Sequence, residues 1–166
     1  MIGVEKDMSK VEFSAEPGKQ MIIVKQIFDA PRELVWKIYT DPELIPRWWG
    51  PRILETTIDK MDIKSGGSWR VIQRDLEGND FFFHGVFHDV QSPERITRTM
   101  EWEGMPGHVL LETVTFEEFD GKTKAINKSI FQSIEDRDGM IQTGMEVGVT
   151  ESYERSVELL KELQKE

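Results

Sequence analysis

Few side chains in this sequence carry chemistry outright, and the histidines come first. His84 and His88 stand four residues apart in FFFHGVFH. Along a strand that spacing is roughly 13 Å, too far for two imidazoles to share one ion. The third, His108, falls on a glycine-bearing loop, and there is no cysteine anywhere in the chain. Thiolate nucleophiles, iron–sulfur clusters, cysteine-held zinc and disulfides are thereby excluded, and no metal or cofactor is expected. His84 near Glu101 or Arg98 has the makings of a general acid or base. A hydrogen-bonded polar group on a sheet explains it more simply. No serine sits in a nucleophile elbow, and Gly66-Gly67-Ser68 lacks the lysine and following helix of a phosphate loop.

The stretch IPRWWGPR (residues 45–52) is more informative, because Trp48 and Trp49 are adjacent. Neighbours diverge by roughly 100° on a helix and 180° on a strand. One indole can be core while the other needs a separate task.

The elements that position these residues can be read from periodicity and turn chemistry. Gln20 to Phe28 (QMIIVKQIF) is a buried strand. Asp29-Ala30-Pro31 starts a helix over RELVWKIYT, with Val35, Ile38 and Tyr39 at helical spacing. Asp41-Pro42-Glu43 starts a second, short helix that Gly50-Pro51 ends. Residues 53–133 alternate short apolar runs with turn signals such as Lys64-Ser65-Gly66-Gly67, Ser92-Pro93-Glu94 and Asp120-Gly121-Lys122. They give six strands near 53–62, 67–76, 81–91, 95–103, 109–119 and 122–133, joined as an antiparallel meander. Asp136 to Gly144 reads as a loop. The segment from Met145 onward, with Val149, Ser152, Ser156, Leu159, Leu160 and Leu163 on one face, is a long amphipathic helix.

This order predicts an α+β fold, a curved antiparallel sheet of six or seven strands wrapped around a long C-terminal helix. Gly148, Ser152 and Ser156 on that helix either leave a cavity against the sheet or allow close packing. Residues 1–19 read as a mobile arm or a short edge strand around Val11–Phe13, and 20–166 as one domain.

The formal net charge is −10, from 31 acidic and 21 basic residues. With no basic cluster to reverse that field, nucleic acid and anionic membranes are not expected as partners. No apolar run approaches the roughly 18 residues of a membrane span. The N-terminus has no apolar centre like that of a signal peptide. Cytoplasmic residence is the expectation.

Four segments, FDAPRELVWKIYTDPELIPRWWGPR, KSGGSWRV, GVFHDVQSPERI and GMEVGVTESYERSVELLKEL, occur in a recognisable order. Together they resemble the activators of the ninety-kilodalton heat-shock protein ATPase, in particular single-domain homologues of the activator's C-terminal domain. These belong to the START-like (SRPBCC) helix-grip superfamily. The resemblance runs from about Gln20 to Leu163. Pro31, Val35 and Trp36 match the first helix, and Asp41-Pro42 with Trp48-Trp49 match the second. Gly66-Gly67 with Trp69, Pro93-Glu94-Arg95 and Gly148 match later positions. Val149 departs from the tryptophan common after that glycine, and Arg98 and Met100 replace common aromatics. The resemblance therefore carries the fold and not the ligand.

It implies a cavity between sheet and last helix, with Trp49 as an anchor and Trp48 nearer the mouth. The other candidates to line it are Trp69, Phe83, His84, Met100, Trp102, Phe116, Met145, Val149 and Ser152. Either Phe83 or His84 faces inward, because Gly85 could mark a bulge. The expected partner is a small hydrophobic or amphipathic ligand. The alternatives are a chaperone cofactor, or another protein-binding role, acting through the surface, and a cyclase-like or hydrolytic enzyme using the same cavity.

Overall fold

The computed structural model describes residues 10–165. One sheet of eight antiparallel strands dominates it: β1 Val11–Ser14, β2 Met21–Phe28, β3 Glu55–Met61, β4 Ser68–Arg74, β5 Asp80–Gln91, β6 Arg95–Trp102, β7 Val109–Phe119 and β8 Lys122–Phe131. The spatial order is β1-β2-β8-β7-β6-β5-β4-β3. Strands β3 to β8 form the expected meander, and β2 closes onto β8 with Ile22 opposite Ser129 and Gln26 opposite Ala125. The edge strand near Val11–Phe13 is present as β1, pairing with β2. The expectation of a mobile arm falls partly on residues 1–9, which lie outside the described residues.

Helix α1 (Arg32–Thr40) begins after Pro31, carries Glu33 in its first turn and buries Val35 and Ile38. The second short helix shrinks to a 3-10 turn, Ile45–Arg47. Asp41 Oδ1 accepts the Glu43 amide at 2.9 Å, a local turn that starts the segment.

Residues 134–142 overturn the loop expected from Asp136 to Gly144: they form helix α2 (Ile134–Gln142). Its amide at Asp136 donates to Ser133 Oγ at 3.0 Å, an N-cap spaced three residues ahead. The helix is further held by buried Arg137, whose guanidinium donates to the carbonyl of Glu16 at 2.6 Å. Gly144, at φ 83°, then turns the chain into α3 (Met145–Gln164). Only glycine takes that left-handed backbone without strain.

Helix α3 meets the sheet in two ways. Its C-terminal half buries Leu159 and Leu160 in a core with Phe28, Val35, Ile38, Trp69 and Phe116. Replacing either leucine with alanine would cost about 2–5 kcal/mol. Tyr153 fixes the middle of the helix by donating to the Ile27 carbonyl at 2.6 Å. The N-terminal half, with Gly148, Val149 and Ser152 toward the sheet, borders open space instead.

Candidate functional site

The open space is a cavity of about 330 Å³ between the concave face of the sheet and the N-terminal half of α3. The period-two alternation of strands builds its floor: Ile22, Val24 and Gln26 on β2, Trp69, Val71 and Gln73 on β4, and Ile96, Arg98 and Met100 on β6 all face it. Glu112 and Val114 on β7 and Asn127 and Ser129 on β8 complete it. Apolar carbon predominates, and Met61, Met100 and Met145 give the walls adaptable side chains.

One ionic pair lies on that floor. Arg98 and Glu112 are register partners on β6 and β7, and Arg98 Nε donates to Glu112 Oε1 at 2.9 Å. Their side chains are only 18% and 14% exposed. The guanidinium also lies 4.2 Å from the centroid of the Trp69 ring, a cation–π contact. Burial of both charges is offset by their pairing; removing one partner would leave a lone buried charge, at a cost of about 3–5 kcal/mol. Nearby, Tyr39 donates its phenol to Gln26 Oε1 at 3.3 Å. Burial, and secondarily the Glu112 carboxylate, push the Tyr39 pKa well above the usual phenol range, with Arg98 opposing weakly. Tyr39 is therefore an uncharged polar group at neutral pH.

The tryptophan pair borders the cavity beside α3, with roles opposite to the sequence expectation. Trp48 is the buried anchor: its indole donates to the Ile38 carbonyl in the last turn of α1 at 2.7 Å. Half-buried Trp49 stands edge-on to Phe83, with ring centroids 6.0 Å apart. The difference arises because a 3-10 turn precedes them and fixes Trp48 under Tyr39. The turn is latched to α3: the Gly50 amide donates to Ser152 Oγ at 2.9 Å, and Arg155 donates to the carbonyls of Gly50 at 2.9 Å and Pro46 at 3.3 Å.

Eight of the candidates from sequence line this cavity: Trp48, Trp49, Trp69, Phe83, Met100, Met145, Val149 and Ser152. Three do not. Phe116 faces the same side but is sealed beneath Trp36 and Tyr39. Trp102 lies near the end of β6, 41% exposed and folded over Gly104. His84 faces outward, its Nε2 3.1 Å from Glu101 and its Nδ1 3.0 Å from Glu103. The β5–β6 register runs unbroken through Gly85 and shifts only between Phe87 and Asp89, which settles Phe83 as the inward residue. Glu112, Asn127, Ser129, Gln26 and Tyr39 escaped the sequence reading. Only strand parity combined with cross-strand register would have found the polar floor.

His108 pairs with Asp136 at 2.9 Å. Among the described residues, no three His, Asp or Glu side chains are grouped to hold a metal ion. No described helix is long and apolar enough to cross a membrane.

An antiparallel sheet curved round a long C-terminal helix, with a cavity between them, is the helix-grip architecture of START-like proteins. The chain belongs to the family described as Activator of Hsp90 ATPase homolog 1-like protein, whose profile matches residues 29–161. Solved bacterial structures share its fold. A protein from Arthrobacter aurescens is 25% identical with a TM-score of 0.85, covering 92% of both chains. Protein Ms6760 from Mycobacterium smegmatis is 22% identical with a TM-score of 0.82, covering 90% of this chain and 96% of its own. A Rhodobacter sphaeroides protein is 22% identical with a TM-score of 0.82, covering 92% and 99% respectively. Comparison with curated protein sequences gives no match.

Proposed function

We propose that this protein binds a small apolar or amphipathic molecule in the cavity between the sheet and α3. The observation that carries this reading is the cavity itself: about 330 Å³, walled mainly by aromatic and aliphatic side chains, with a few polar groups, most of them on its floor. That combination of an apolar wall and sparse, fixed polar groups characterises small-molecule sites. Apolar burial supplies affinity, and the floor orients the ligand.

Native mass spectrometry of the purified protein, with organic extraction of any bound molecule, tests the reading when repeated on Val149→Trp. Val149 lines the cavity, and the larger indole fills part of it with carbon and introduces no charge. Ligand mass, or stabilisation by apolar probes, that is present in the wild type and lost in a folded Val149→Trp protein supports the cavity. An apo mass together with no thermal shift from an apolar panel overturns it. ATPase activation of a chaperone, the role named in the family description, would instead act through the surface and persist in Val149→Trp.

A further inference from the structure

Among the described residues, the lining of the cavity contains one cation and one anion, Arg98 and Glu112, and they neutralise each other at 2.9 Å. Every other polar lining residue is uncharged: Gln26, Tyr39, Gln73, Asn127, Ser129 and Ser152. We infer that the cavity selects molecules without net charge whose polar end both accepts and donates hydrogen bonds, an alcohol, phenol or primary amide in preference to a carboxylate or an ammonium. This inference rests on the binding reading above and sharpens it.

Two arguments carry it. The first concerns charge. A carboxylate entering beside Arg98 would place two anions against one guanidinium, so it must either displace Glu112 or remain unpaired in a mostly apolar enclosure. An ammonium beside Glu112 meets the mirror problem. A buried charge without its own partner is strongly disfavoured. The second concerns hydrogen-bond inventory. Among the described residues, the hydrogen bond of the Arg98 guanidinium runs from Nε to Glu112 Oε1, leaving its Nη hydrogens to a ligand or water. Glu112 Oε2 likewise retains acceptor capacity. A hydroxyl or primary amide satisfies both, accepting from Arg98 and donating to Glu112. The cross-strand order continues this strip, because Glu112 is also the register partner of Ser129 on β8. The indole face of Trp69 covers the guanidinium and limits how far it can swing toward an incoming anion.

The test uses two matched series at neutral pH: 1-octanol, octanoate and octylammonium, and 2-naphthol, 2-naphthoate and 2-naphthylmethylammonium. Affinities are measured by titration calorimetry, with the Trp69 indole resonance reporting occupancy. The expected result is that the uncharged member of each series binds at least tenfold more tightly than either ion. Glu112→Gln, which keeps shape but frees the cation, is expected to shift the preference toward octanoate and 2-naphthoate by tenfold or more. Arg98→Gln should shift it toward the ammonium probes. An anion or ammonium binding the wild type as tightly as its neutral partner overturns the inference while leaving the cavity reading intact. So does an order of preference unchanged in a folded Glu112→Gln protein. Should Arg98→Gln not fold, the wild-type series and the near-isosteric Glu112→Gln still decide. Absence of binding by all six probes to the folded wild type overturns the cavity reading itself.

Discussion

Gly85 on β5 is the gap through which Trp69 on β4 reaches β6. The two are register partners, and the Trp69 indole donates across β5 to the Thr99 carbonyl at 3.1 Å. A Cβ placed on Gly85 would lie on that carbonyl oxygen and 2.7 Å from Trp69 Nε1. Trp69 is 1% exposed and cannot yield outward, so the clash falls on packed sheet. Gly85→Ala is expected to destabilise the fold by about 2 kcal/mol or more, as overpacking does at rigid sites. Urea unfolding checks this; a midpoint equal to that of the wild type would show that the sheet relaxes freely there.

The two adjacent tryptophans should separate in a stability assay. Trp48→Phe removes the donor to the Ile38 carbonyl and leaves that group buried, a cost of about 1–3 kcal/mol. Trp49→Phe keeps an aromatic edge against Phe83 and should cost less. Parallel thermal melts of the two variants decide whether Trp48 is the anchor.

Arg155 holds the turn that borders the cavity through the Gly50 and Pro46 carbonyls. Arg155→Leu keeps the apolar stem and removes both bonds. Amide hydrogen exchange at Trp49 and Gly50 should then accelerate roughly tenfold or more, with the central strands β7 and β8 unaffected. Uniform acceleration across the sheet would mean that Arg155 supports the whole fold and not this turn alone.

Acid stability should carry a signature of Glu103. Hydrogen bonds from Arg70, at 2.8 and 2.9 Å, hold its pKa down to about 2 from an ordinary 4.5, with His84 adding a smaller effect. Because the folded value is the lower one, this stabilisation is complete above the unfolded pKa. It is lost as pH falls from about 4.5 toward about 2. Glu103→Gln should flatten that part of the stability–pH curve, measured by denaturant titration at a series of pH values. The group is partly solvated, so the expected amplitude is small.

What was legible in the sequence was whatever depends on local pattern. Short apolar runs between turn signals gave the strands, Pro31 gave the start of α1, Asp41-Pro42 gave the start of the short helical turn after it, and the leucine-rich stripe gave α3. Helix α2 was missed because Asp136, Asp138 and Gly139 resemble a loop and the segment has no apolar stripe. Its hold comes from Arg137, whose carbonyl partners lie more than a hundred residues away. The site divides in the same manner. Aromatic and methionine lining residues announced themselves by type, and six of them meet at the cavity: Trp48, Trp49, Trp69, Phe83, Met100 and Met145. Glu112 did not, since its place opposite Arg98 follows from the β6–β7 register, and register is set by turn geometry that a single strand does not reveal. His84 was misplaced for a related reason, since parity along FFFHGVF depends on where β5 shifts against β6.

The order of the strands also bears on how the chain reaches this state. Strand β2 can pair with β1 at once, but its second partner, β8, comes about 100 residues later, while each strand from β3 to β7 can pair with the next as it emerges from the ribosome. During synthesis the meander can therefore assemble hairpin by hairpin, while β2, rich in isoleucine and valine, waits with its β8-facing backbone edge unpaired. The concave apolar face stays open longer still, because α3 follows every strand. High contact order places closure late, and it leaves a partly built sheet whose exposed face invites association with other nascent chains or chaperones before the helix docks.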